Sequence, residues 1–127
     1  MSTLSVATTD GRTEFLPGEE VEVDLAWEFD EAPEAVELRL VWNTAGKGTT
    51  DVRVVQTERF DEPSPRDRRR KTLTLPRSPY SFSGKLVSIV WALELVALPS
   101  EDSERLEIVI GPDAQEVQHA DSLEEPV

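Results

Sequence analysis

The chain has 127 residues, a size that fits one domain and leaves little room for a second. It carries 26 acidic against 13 basic residues, a net charge of −13, so it repels nucleic acid and anionic membranes except through a local basic patch. It has no cysteine, which excludes disulfides, thiolate zinc sites and a cysteine nucleophile, and which fits a cytoplasmic setting.

Residues 1–10 are polar, with no basic segment followed by an apolar one, so no signal peptide is expected. A first strand is predicted over Thr3–Thr8, closed by the turn dipeptide Asp10–Gly11. Pro17–Gly18 leads into the clearest pattern in the chain. Val21, Val23, Leu25, Trp27 and Phe29 alternate with Glu20, Glu22, Asp24, Ala26, Glu28 and Asp30. Successive strand side chains point to opposite faces, so one face is apolar and the other is a row of carboxylates. Val36, Leu38, Leu40 and Trp42 repeat the alternation, with Glu37 and Arg39 outward. The turn segment Glu31–Glu34 between these runs suggests that they form a hairpin.

Asp51–Thr57 reads as a valine-rich strand whose phase slips between Val54 and Val55, the signature of a bulge. Phe60–Arg70, with Pro63 and Pro65, reads as a loop, and Lys71–Leu75 as a short strand. The longest strand is Lys85–Leu98, with Val87, Ile89, Trp91, Leu93, Leu95 and Ala97 on one face. The apolar stretch within it, Leu86–Leu98, holds Ser88 and Glu94 and is too short and polar to span a membrane. Arg105–Ile110 is the last strand, ended by Gly111–Pro112. About seven amphipathic strands without a helical period predict an all-β, two-sheet antiparallel sandwich of immunoglobulin type over residues 1–112. Trp27, Trp42 and Trp91 fall in the inward phase and are expected in the core. Residues 113–127, with Glu116, Asp121, Glu124 and Glu125, are expected to be an acidic, disordered tail.

Catalytic chemistry finds little to use here. The only histidine, His119, lies in that tail, where it makes a poor general base or metal ligand. No Gly-x-Ser-x-Gly elbow exists, and Ser81–Phe82–Ser83–Gly84 is better read as a turn. Gly46–Lys47–Gly48–Thr49 lacks the remaining features of a phosphate loop, since Val41 and Gly48 occupy its other defining positions. No calcium loop spacing is present. The expectation is therefore no catalytic residue, no cofactor and no metal.

Charge is unevenly spread. Residues 1–40 net −9, residues 41–90 net +5, and residues 91–127 net −9. The positive charge concentrates in Arg66, Arg68, Arg69, Arg70 and Lys71, a basic segment on an acidic body. Arginines fork onto carboxylates or phosphates, so these five residues are the candidate partner-binding site. The alternative is a solvated segment that protects a sheet edge or folds back onto the acidic strand faces.

Leu75–Pro76–Arg77–Ser78–Pro79–Tyr80–Ser81–Phe82–Ser83–Gly84, followed by the strand up to Trp91, resembles the arrestin-like domain. There a Leu-Pro step leads through a Pro/Ser-rich turn to an aromatic, a glycine and a long strand. Phe15–Leu16–Pro17–Gly18–Glu19–Glu20–Val21 resembles that family's Pro-Gly-Glu strand entry, and Val36–Leu40 its next strand. The resemblance spans about residues 15–110 and implies a single-domain, bacterial-type arrestin-like protein. Full arrestins have two such sandwiches. No receptor-phosphate lysines or clathrin-binding tail match, so no functional residue is carried over. The resemblance implies a non-enzymatic protein-interaction module, an adaptor, scaffold or subunit of a larger assembly, with a homo-oligomer among its forms. Two other readings remain open. One is an anion-binding module using residues 66–71 for phospholipid, nucleotide or nucleic acid, although the overall charge disfavours nucleic acid. The other is a carbohydrate-binding sandwich, which would need exposed tryptophans.

Overall fold

The computed structural model describes residues 2–46, 51–84, 87–112 and 117–118. The strands are β1 (Thr3–Thr8), β2 (Glu14–Phe15), β3 (Glu20–Glu28), β4 (Ala35–Gly46), β5 (Val52–Asp61), β6 (Arg66–Thr74), β7 (Phe82–Ser83), β8 (Val87–Leu98), β9 (Ser103–Ile110) and β10 (Val117–Gln118). They form a two-sheet sandwich. The smaller sheet has the order β1-β3-β6; the larger runs β10-β7-β8-β4-β5, with β9 also on β8 and β2 on β9. The expected all-β sandwich is thus observed, with three two-residue strands beyond the seven anticipated. Most pairs are antiparallel, but β2 with β9 and β7 with β10 are parallel.

The apolar stripe of β3 decides where the core lies. Val21, Val23, Leu25 and Trp27 are buried and face Val36, Leu38, Leu40, Trp91, Leu93 and Leu95 of the larger sheet. Trp27 and Trp91 keep their indole N–H groups satisfied inside this core by donating to Ser64 O (2.9 Å) and Pro79 O (2.8 Å). Trp42 is only partly buried, although Trp91 beside it in the β4–β8 ladder is fully buried. At the same end Val87 keeps the parity of Trp91 but is 45% exposed. Further along β8, Ala92 and Val96 are buried on the other face as well. That face is roofed by charged residues in pairs, Glu37 with Arg39 (2.7 Å) and Arg59 (2.8 Å), and Glu94 with Arg105 (2.7 Å).

Three expectations need correction. The expected hairpin of β3 with β4 does not form, since β3 pairs with β1 and β6 while β4 pairs with β5 and β8. The Glu31–Glu34 segment crosses from one sheet to the other, and it lacks the two-residue Asn-Gly or Asp-Gly turn that closes a tight hairpin. The expected loop over Phe60–Arg70 shrinks to residues 62–65, because β5 extends to Asp61 and β6 begins at Arg66. Ser81–Phe82–Ser83–Gly84 is not a simple turn: Phe82–Ser83 is a strand, and buried Ser81 ties it to β9 by accepting the Ile110 N–H at its Oγ (3.0 Å).

The bulge lies where the phase slips. Leu40 pairs with Gln56 and Val41 with Val54, leaving Val55 as the extra residue of β5. Of the expected acidic tail, Val117–Gln118 pair with β7; the remainder, with His119, lies outside the described residues, as do Lys47 to Thr50. No described helix is long and apolar enough to cross a membrane.

Leu93 is fully buried at the centre of β8. Leu93→Ala is expected to cost about 2–5 kcal/mol in urea denaturation followed by tryptophan fluorescence. Leu16→Ala, at a site 47% exposed, should change stability by less than about 0.5 kcal/mol.

Candidate functional site

The five basic candidates lie on β6, a strand at the edge of the smaller sheet. The segment becomes a strand because of what it faces. In the β3–β6 register Arg66 stands opposite Glu28, Arg68 opposite Ala26 and Arg70 opposite Asp24. Cross-strand pairs of opposite charge stabilise a sheet as apolar pairs do, so the acidic face of β3 selects a basic neighbour. Arg66 reaches Glu28 at 2.9 Å and Arg70 reaches Asp24 at 2.8 Å. Asp24 also accepts the Thr9 hydroxyl (3.1 Å). The Arg70 guanidinium, helped by Thr9, holds the Asp24 carboxyl below its usual range.

Alternation along β6 splits the five candidates. Arg66, Arg68 and Arg70 project onto the outer face, while Arg69 and Lys71 share the parity of the buried Leu73. Arg69 and Lys71 close the flank of the sandwich over the Phe60 ring, at 5.3 Å and 5.5 Å from its centroid. Asp67, two residues before Arg69, shares their phase and pairs with Arg69 at 2.8 Å. Its carboxylate also accepts the Arg68 backbone N–H (2.7 Å), and the two contacts lower its pKa, Arg69 chiefly. The predicted site is therefore not one patch of five cations.

The outer-face group is the more open. Arg66, Arg68 and Arg70 wall a shallow trough floored by Ser5, Ala7 and Ala26. Arg68 is exposed and has no ion-pair partner among the described residues, because alanine stands opposite it. The free edge of β6 also presents backbone groups. Leu75 N–H donates to Glu19 O (2.9 Å) and Phe29 N–H to Pro65 O (2.8 Å), so the odd-numbered residues turn their peptide groups towards β3. Those of Arg66, Arg68, Arg70 and Thr72 then point away from it. Asp67 caps the N–H of Arg68, and Gln56 of β5 donates its Nε2–H to Thr74 O (2.7 Å).

Sequence reasoning missed Asp24, Glu28, Phe60 and Gln56 as neighbours of this strand. A signal for the first two existed: acidic residues on one face of β3 match arginines spaced by two on β6. Among the described residues no cluster of three or more His, Cys, Asp or Glu could hold a metal ion.

No protein-family model matches the chain, and no curated protein matches it by sequence. Its fold does have solved counterparts. The chain is similar to the crystal structure of Spo0M, a sporulation control protein from Bacillus subtilis. The TM-score is 0.60 at 17% identity, over 87% of this chain and 49% of that one. The chain therefore spans about half the length of Spo0M. That likeness shows the fold, the all-β sandwich expected from the strand pattern. A β-glucosidase from Listeria innocua in complex with gluconolactone is also similar, with a TM-score of 0.49 and 14% identity, over 91% of this chain and 16% of that one. At that score the likeness carries no argument about activity.

Several carboxylates of the chain, on both sheets, are held low by arginine. Glu37 is lowered by Arg39 and then Arg59, and Glu19 by Arg12 and then the Leu16 N–H, alongside Asp24 and Asp67. A carboxylate whose pKa is depressed on folding adds stability above its unfolded value, and loses it as pH falls through the folded value. The thermal midpoint should therefore stay flat from pH 7 to about pH 5 and fall below it. Glu37→Gln should make that acid-side fall shallower in a pH series of melting curves.

Proposed function

We propose that this chain is a non-enzymatic protein-interaction module, an adaptor, scaffold or subunit of a larger assembly, which engages its partner along the free edge of β6. The observation that carries this reading is the edge itself. β6 offers free-edge backbone groups beside Arg66, Arg68 and Arg70, with the Arg68 N–H capped by Asp67, and the Arg68 guanidinium, without an ion-pair partner among the described residues, stands over a floor of small residues. An extended segment can add to such an edge as another strand, with backbone hydrogen bonds giving affinity and side chains giving selectivity. Three arginines on one face favour an acidic segment. The arrestin-like fold supports a scaffold rather than a catalyst, and the fold neighbour Spo0M is itself described as a control protein. A bacterial-type arrestin-like protein acting in the cytoplasm fits these features and the lack of cysteine.

The same arginines support a second reading, an anion-binding module for phosphate-bearing ligands. It is the weaker one, because Glu28 and Asp24 already occupy Arg66 and Arg70. A carbohydrate platform has less support still, since Trp27 and Trp91 are core residues.

Affinity purification with mass spectrometry separates the readings. The wild-type chain is expected to retain a protein partner that R66S/R68S/R70S loses, while the variant keeps its circular dichroism spectrum. No captured partner, or one held equally by the triple variant, would overturn the reading. Loss of phosphate-bearing ligands alone would favour the anion-binding alternative.

A further inference from the structure

We propose that β5 is the contact strand of a two-fold dimer, in which a second copy adds its own β5 antiparallel and the larger sheet runs on through the dyad. The proposal does not depend on the partner reading of β6.

Strand β5 ends the larger sheet and, among the described residues, pairs only with β4. Natural edges are blunted by charge, proline or covering groups. The β6 edge has such protection in its cations, in the Asp67 cap and in the Gln56 brace. In contrast, β5 exposes a run of β-branched residues, Val52 at 62%, Val54 at 53% and Val55 at 41%.

The backbone sets which groups are available. Glu62 N–H donates to Glu34 O (3.0 Å), and Thr44 N–H donates to Asp51 O (2.9 Å). Counting along the ladder from both ends, with Val55 as the bulge, Val52, Val54, Thr57 and Arg59 direct their peptide groups to the free edge.

The bulge then selects a register. Paired residues must share a face, and side chains alternate faces with a period of two. In a regular strand Arg53 and Glu58, five apart, would lie on opposite faces. The extra residue at Val55 brings both onto the inner-facing side, Arg53 opposite Trp42 and Glu58 opposite Leu38. A two-fold antiparallel contact centred between Val55 and Gln56 therefore sets Arg53 against Glu58 of the second copy. It also sets Val54 against Thr57 and Val52 against Arg59, pairs that share the outer face and are directed to the edge. Neither Arg53 nor Glu58 has an ion-pair partner within the chain among the described residues, whereas Arg12, Arg39, Arg59 and Arg105 all do. Symmetry supplies the Arg53–Glu58 pair twice.

The basic strands do not oppose this contact. The dyad lies beside Gln56, which touches the Thr74 end of β6, while Arg69 and Lys71 sit over Phe60, four residues along β5. The basic runs of the two copies point in opposite directions from the dyad and lie about 31 Å apart at about 3.4 Å per residue. That is beyond the screening length of about 8 Å at physiological salt. A contact through β6 instead would align arginine with arginine.

Sedimentation equilibrium on the full chain tests the proposal by charge exchange. The wild type is expected at twice the 14.2 kDa chain mass at about 100 µM. Arg53→Glu alone and Glu58→Arg alone should each weaken the dimer about tenfold or more, since each turns two attractions into two repulsions. The double variant R53E/E58R should recover wild-type affinity to within about threefold. Both positions lie on the exposed flank, and unchanged circular dichroism establishes that each variant folds. A monomeric wild type, a dimer indifferent to the single variants, or a double variant as weak as the singles would each overturn the assignment.

Discussion

Strand β3 has two faces with opposite demands, and the architecture follows from meeting both. Val21, Val23, Leu25 and Trp27 have to leave water, which requires a second sheet above them. Glu22, Asp24 and Glu28 on the other face have to stay solvated or find cations. Placing β6 beside β3 meets the second demand with Arg70 and Arg66, and makes β6 the edge of its sheet. The acidic run near the N-terminus and the basic run in the middle of the chain are thus two halves of one pairing.

That pairing has a consequence for function. An acidic strand neutralised at every position would leave an inert face. Ala26 breaks the series, so Arg68 keeps an uncommitted guanidinium between two committed ones. The small side chains of Ser5, Ala7 and Ala26 leave space in front of it. The cations on the other side of β6 have a structural task, closing the sandwich flank over Phe60. One basic segment therefore performs two jobs, divided by the parity of its residues.

The two sheet edges on this flank are managed differently. Cations, a carboxylate cap and a glutamine brace guard β6, so that binding there requires a complementary acidic partner. The β5 edge carries valines and a bulge. A bulge usually disfavours pairing, but here it brings Arg53 and Glu58 onto one face, a placement that a second copy can use.

The period-two alternation of β1, β3, β4, β8 and β9 could be read directly, because alternation is a local property of neighbouring side chains. So could the inward phase of Trp27 and Trp91, and the slip at Val55. The sequence also located the basic segment, but a run of like charges carries no apolar period, and without its acidic neighbour it reads as a loop. Which strands pair is decided by residues far apart in the chain. That choice put β3 and β4 in different sheets and made Arg66–Lys71 a strand. It also left Trp42 half-covered while Trp91 beside it is fully buried, a difference that alternation along each strand does not predict. By itself, then, the sequence determined an all-β sandwich and the location of its charge. Only the tertiary structure decided which arginines are free, since that depends on what each one meets across the ladder.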